Sequence, residues 1–308
     1  MYYFVKTNFT RLALAMAVAT ILIGCEGKDG LQGLQGPQGP AGPGGHDWPG
    51  PPPSGYLAAD SIAGGTAYLK WYLEAAGGTG NLTNYGVTVA ADFVRCKACH
   101  AWDGMGNAGS YADRTGVSTG TATRPDVSSV NLRSSIVSTT YQELYDLIER
   151  PAGRPLNLTS SAHPDYSTVL TPAQIWNIVK FLREEFVNPN ELYDLQISGP
   201  AMHYEWNGAS WVLMKPVLTY SNIGKGGSAA SGASVFANKC SVCHGANGKD
   251  NPPEGFTSLG KFLRAKPHEA WFKAKFGEPP IMPPALVTST QDLKDLYKAL
   301  VDTVGFPD

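Results

Sequence analysis

Two pentapeptides, Cys96-Lys97-Ala98-Cys99-His100 and Cys240-Ser241-Val242-Cys243-His244, constrain this chain more than anything else in it. Each sets two thiols three positions apart with an imidazole beside the second. That spacing lets both sulfurs add to the vinyl groups of one haem while the histidine stands under its iron. Two covalent attachments are expected, with thioethers at Cys96, Cys99, Cys240 and Cys243 and proximal ligands at His100 and His244. The competing reading, a pair of zinc half-sites, needs further Cys or His partners. The chain has five cysteines, which leaves none to spare once Cys25 is placed elsewhere.

Cys25 closes the run Leu22-Ile23-Gly24-Cys25. Lys6 and Arg11 supply a positive leading region, and Leu12 to Ile23 is apolar but too short to span a bilayer. Residues 1–24 therefore read as a signal peptide, with an ordinary secreted protein or a signal anchor as the alternatives. The Leu-Ile-Gly-Cys ending resembles the lipobox of bacterial lipoproteins, which implies that Cys25 is lipidated and becomes the mature N-terminus. By the same resemblance Glu26 points to the outer membrane. Export agrees with covalent haem attachment outside the cytoplasm.

Glycine then recurs at 27, 30, 33, 36, 39, 42 and 45, with Pro37, Pro40 and Pro43 among them. The repeat looks like collagen, but so few triplets suit a disordered, solvated spacer better than a trimeric stalk. Residues 25–55 are expected to be lipid anchor and spacer. At about 3.1 Å per residue an extended Cys25 to Pro53 segment reaches roughly 85 Å.

The remainder is long enough for two domains of ordinary size, and the two motifs divide it. The expected plan is mainly α, with haem domains at 56–189 and 232–308 joined by an insert at 190–231. A formal net charge of −2, with acidic and basic residues mixed and no basic stripe, argues against nucleic acid as a partner.

In the second half Pro279-Pro280-Ile281-Met282-Pro283-Pro284 is a proline-stiffened loop with one methionine, 38 positions beyond His244. Ser289 and Asp292 then open a helix, and Leu293, Leu296, Tyr297 and Leu300 give it one apolar face. This order resembles a small class I cytochrome c. The resemblance implies that the Met282 sulfur is the sixth ligand of the second iron; the bland alternative is a core methionine.

The first half repeats the pattern with one substitution. Thr171-Pro172-Ala173-Gln174 forms a capping box ahead of Ile175, Ile178, Val179 and Leu182. Eight residues before Thr171 stands His163, and seven before Ser289 stands Met282. The helix pattern of Tyr141 to Arg150 likewise matches His268 to Phe276. His163 is therefore expected to join His100 on the first iron. Met105 is too close to His100 to reach the far face, and Met202, His203 and Met214 compete only if the insert folds back. Two further stretches, Gly64 to Tyr72 reading as a helix start and Ala101-Trp102-Asp103 behind the motif, resemble monohaem domains of bacterial respiratory c-type cytochromes.

Within the insert, Met202 to Trp206, Asn207-Gly208 and Trp211 to Tyr220 read as a hairpin with a tight turn, limited by Pro216. Gly224 to Gly232 reads as a linker. A second imidazole stabilises ferric iron and a thioether favours ferrous iron, so the two potentials are expected to differ, with the first lower. These readings imply a membrane-tethered dihaem electron carrier serving other redox proteins. The alternatives are an enzyme resembling the dihaem peroxidases, though no Tyr-Phe-His-Asp-Gly-like segment follows the second motif, and a collagen-like structural surface protein.

Overall fold

The computed structural model describes residues 51–74, 81–114, 129–160, 162–278, 281–284 and 286–308. Residues 1–24, read above as a signal peptide, Cys25 and the glycine-rich stretch read as a spacer lie outside these residues.

The first domain opens with α1 (Ser54–Ala58) and α2 (Ser61–Glu74). The Asp60 carboxylate accepts the backbone N–H groups of Ile62 and Ala63 at 2.8 and 3.1 Å, so α2 begins three residues before the Gly64 start expected from the sequence. Cys96–His100 forms α3, a single short helix that carries the first motif. Then follow α4 (Leu132–Ser138), α5 (Tyr141–Glu149) and α6 (Pro172–Lys180). The capping box read at Thr171 and Gln174 is present in both directions, and α6 runs on into a π turn at Phe181–Glu185.

The insert contains more sheet than the sequence suggested. Strands β1 (Asp194–Ser198), β2 (His203–Trp206), β3 (Trp211–Met214) and β4 (Val217–Ser221) form two separate antiparallel pairs. β2 and β3 are the expected hairpin, in register from His203↔Met214 to Trp206↔Trp211. Its connection is a four-residue loop rather than a tight Asn-Gly turn, because the Asn207 side chain accepts the N–H groups of Ala209 and Ser210 at 3.0 and 2.9 Å. Pro216 separates β3 from β4, and β4 turns back to pair with β1, a partner the sequence did not announce.

The second domain comprises α7 (Ala229–Lys239), α8 (Ser241–His244), α9 (Leu259–Ala265), α10 (Pro267–Phe276) and α11 (Thr290–Leu300). Helix α7 starts inside the stretch read as a Gly/Ser/Ala linker, which is a correction. Those small residues serve close packing: a Cβ on Gly227 would strike the Lys294 carbonyl of α11, and one on Gly232 would strike the Asp295 carbonyl. The first domain uses the same device, with Gly64 of α2 against the Asn177 carbonyl of α6. Each domain is thus a pair of first and last helices crossed over a glycine, with the motif helix and a loop enclosed between them.

The described residues form one compact unit rather than two separable ones. Between the haem domains lies an aromatic layer in which Tyr68, Trp102, Phe181, Phe186, Trp271, Phe272 and Phe276 are all buried. Trp271 donates its indole N–H to the Trp102 carbonyl at 3.1 Å. The Lys275 ammonium, 5% exposed, meets Glu185 at 2.6 Å across the same layer.

Candidate functional site

Helix α3 places Cys96, Cys99 and His100 on the wall of a cavity of about 500 Å³, and His163 enters that cavity from the loop before α6. Phe93, Leu144, Leu147, Ile178 and Leu182 add apolar lining. A volume in this range suits a cofactor-sized ligand. Among the described residues the buried His100 Nδ1 has no hydrogen-bond partner. Burial, with His163 as a second cause, drives the His100 imidazole down to about 4. Burial lowers His163 as well, and outweighs the opposing effect of the Pro164 carbonyl. Both imidazoles are therefore neutral near pH 7, the form that offers a lone pair to a metal. Burial also pushes the Cys96 thiol up to about 12.

The His163 ring is oriented. Its Nδ1 lies 2.9 Å from the Pro164 carbonyl, and a proton held there leaves Nε2 as the free donor. The loop is tied down by Arg154, 6% exposed, whose side chain donates to the carbonyls of Ala162 at 2.8 Å, of Leu158 at 2.7 Å and of Phe93. The Arg154 backbone N–H donates to the His163 carbonyl at 2.9 Å. One buried guanidinium thus joins the ligand loop to the turn that precedes the first motif.

A second cavity of about 350 Å³ is lined by Cys240, His244 and Met282, with Phe236, Leu263 and Leu296 behind them. Cys243 is exposed and lies outside that lining. His244 Nδ1 faces the Asp250 and Asn251 carbonyls at 3.2 and 3.1 Å, and Asn251 in turn donates to the Cys243 carbonyl at 2.7 Å. As with His163, this leaves Nε2 available. The methionine loop is pinned by Glu278, whose N–H donates to the Met282 carbonyl at 2.9 Å and whose carbonyl accepts the Met282 N–H at 3.1 Å.

The loops that carry His163 and Met282 share a feature that helix periodicity does not reveal. Gly153 and Gly277 each lie against the backbone of the loop residue in question: a Cβ on Gly153 would sit 2.7 Å from the His163 carbonyl, and one on Gly277 would collide with that of Met282. The residue after each glycine then forms a β-bridge to the loop, Arg154 with Pro164 and Glu278 with Met282. The signal was present in the sequence as Gly153-Arg154-Pro155 and Gly277-Glu278-Pro279. Met202, His203 and Met214 of the insert line neither cavity, and neither does Met105.

Residues 85–185 match the family model described as cytochrome c, and residues 227–298 match that described as cytochrome c oxidase, cbb3-type, subunit III. No curated protein and no solved structure matched the chain. The chain is a two-domain c-type cytochrome. It carries two covalently bound haem c groups, which fits the donor sets of the two cavities.

Proposed function

We propose that this cytochrome is a membrane-tethered carrier that passes single electrons between redox proteins outside the cytoplasm. Each bound haem supplies reversible one-electron chemistry at its iron. Cys96 and Cys99 hold the first through thioethers, and Cys240 and Cys243 the second. His100 and His163 complete the first iron, and His244 and Met282 the second. The observation that carries this reading is that His163 and Met282, on loops braced the same way, enter the cavities that hold the motif histidines.

Held by His100 and His163 in one cavity and by His244 and Met282 in the other, neither iron would offer a seat for substrate, which supports transfer without bond chemistry. The first haem has the lower potential, because a second imidazole stabilises ferric iron where a thioether stabilises ferrous. Lipidation at Cys25 and the spacer behind it tether the domains, at the outer membrane, while leaving them a wide radius in which to meet partners.

The test is a spectroscopic redox titration of the wild type and His163→Met. The variant raises the lower potential and leaves the other in place; an unaltered pair removes His163 from the iron. Turnover of hydrogen peroxide by the half-reduced protein would instead establish the peroxidase reading. Loss of membrane association in Cys25→Ser tests the anchor.

A further inference from the structure

A packed layer lies between the two cavities, whose linings have no residue in common. Helix α10 presents Ala270, Lys273 and Ala274 to the second cavity and buries Trp271, Phe272 and Phe276 in the layer between the domains. Tyr68 of α2 lines the first cavity, and its ring centroid lies 6.2 Å from that of Phe272. Trp102, two residues beyond His100, lies 4.9 Å from the same ring at a tilt of 54°. Phe181 meets Phe272 and Phe276, and Phe186 meets Trp271, but Phe272 is the α10 ring that Tyr68, Trp102 and Phe181 all touch, and it is bonded directly to Lys273, which faces the second cavity.

The closeness is specified by the sequence. Gly65 of α2 lies against the Phe276 ring so tightly that a Cβ there would overlap its edge. The Tyr68 hydroxyl donates to the Ala101 carbonyl at 2.6 Å and fixes its ring beside the motif helix. The layer is held by the Trp271 to Trp102 hydrogen bond and by the Lys275–Glu185 ion pair.

We infer that Phe272, with Tyr68 and Trp102 packed on it, is the bridge by which the chain exchanges an electron between its two haems. This deepens the carrier reading and rests on it. An electron leaves one iron and reduces the other, with no bond made and no proton required. The aromatic layer supplies contiguous packed atoms in place of solvent, so the exchange occurs inside one molecule.

The experiment is pulse radiolysis of the full-length holoprotein, following redistribution of one injected electron, with both potentials and the unfolding midpoint measured alongside. Phe272→Leu keeps a buried apolar side chain but withdraws the ring from Tyr68 and Trp102. It slows redistribution several-fold while both potentials stay in place. Tyr68→Leu removes the other half of one contact and slows it too, so either variant suffices if one fails to fold. Phe276→Leu is the control: it perturbs the same layer, and Phe276 contacts Phe181, Trp271 and Phe272 but makes no ring contact with Tyr68 or Trp102. The inference is overturned if Phe272→Leu exchanges electrons at the wild-type rate, or if Phe276→Leu slows exchange equally. Failure of the carrier reading itself would look different, as a wild-type protein with a single potential or an iron open to peroxide.

Discussion

Substituting Gly277 by alanine separates the role of the ligand loop from that of the helices around it. Gly277 has φ 66° and ψ −159°, a region that side-chain-bearing residues essentially do not occupy. Placing alanine there costs about 1–3 kcal/mol in backbone strain alone. The new Cβ would lie 2.5 Å from the Pro283 carbonyl oxygen and closer still to that of Met282. Reaching ordinary contact requires the loop to recede by about 1 Å, and overpacking of this kind adds about 1–3 kcal/mol. A total loss of about 2–6 kcal/mol is expected in urea unfolding. If the loop yields first, Met282 leaves the iron and the higher potential falls while the lower one holds. An alanine variant with unchanged unfolding midpoint and unchanged upper potential would refute the claim that Gly277 closes the loop. Gly153→Ala is the companion; its φ is not positive, so only the overpacking cost of about 1–3 kcal/mol applies, and the affected haem is the first.

Other outcomes follow from the same geometry. Arg154→Met leaves the Ala162, Leu158 and Phe93 carbonyls without their donor, at about 1–3 kcal/mol for each that water does not reach; thermal unfolding measures the loss, and the first haem's magnetic resonance spectrum shows whether His163 remains bound. Lys275→Met strands Glu185 at the domain interface. Because Glu185 retains 26% side-chain exposure, the cost falls below the about 3–5 kcal/mol of a fully buried pair. His268 is held down to about 3, first by burial and then by Lys266 and Arg114, and its Nδ1 lies 2.7 Å from the Tyr220 hydroxyl. Its folded value lies below the unfolded one, so the unfolded chain binds the extra proton. Stability is therefore full above about pH 6.5 and declines below it, by about 1.4 kcal/mol per pH unit until the folded value is reached. His268→Gln flattens that slope in acid unfolding curves, and an unchanged slope would remove His268 as its source.

Much of the site was legible because its chemistry is local. The motif spacing is set by the haem itself, and the caps at Thr171 and Ser289 are side-chain to backbone contacts within one turn. His163 could be matched to Met282 because they lie eight and seven residues ahead of a capped helix. What escaped was long-range. β1 meets β4 across the whole hairpin, and nothing in Asp194–Ser198 names its partner. Gly227 and Gly232 were read as part of a linker because composition alone cannot distinguish a glycine that must bend from one that must let another backbone approach. The domain interface was hidden for a related reason. The aromatics of α10 look like ordinary core residues until the fold shows that the core they fill belongs to two domains.

That packed layer has a bearing on how the chain can be divided. Severing it within the insert would strip Trp271, Phe272 and Phe276 of their cover, and aromatic side chains of this size each bury about 150–250 Å². The freed half would present a greasy face flanked by a stranded ammonium at Lys275, a surface prone to self-association. Although the described residues read as two cytochromes in tandem, they pack as one unit, and each half depends on the other to cover its aromatic face.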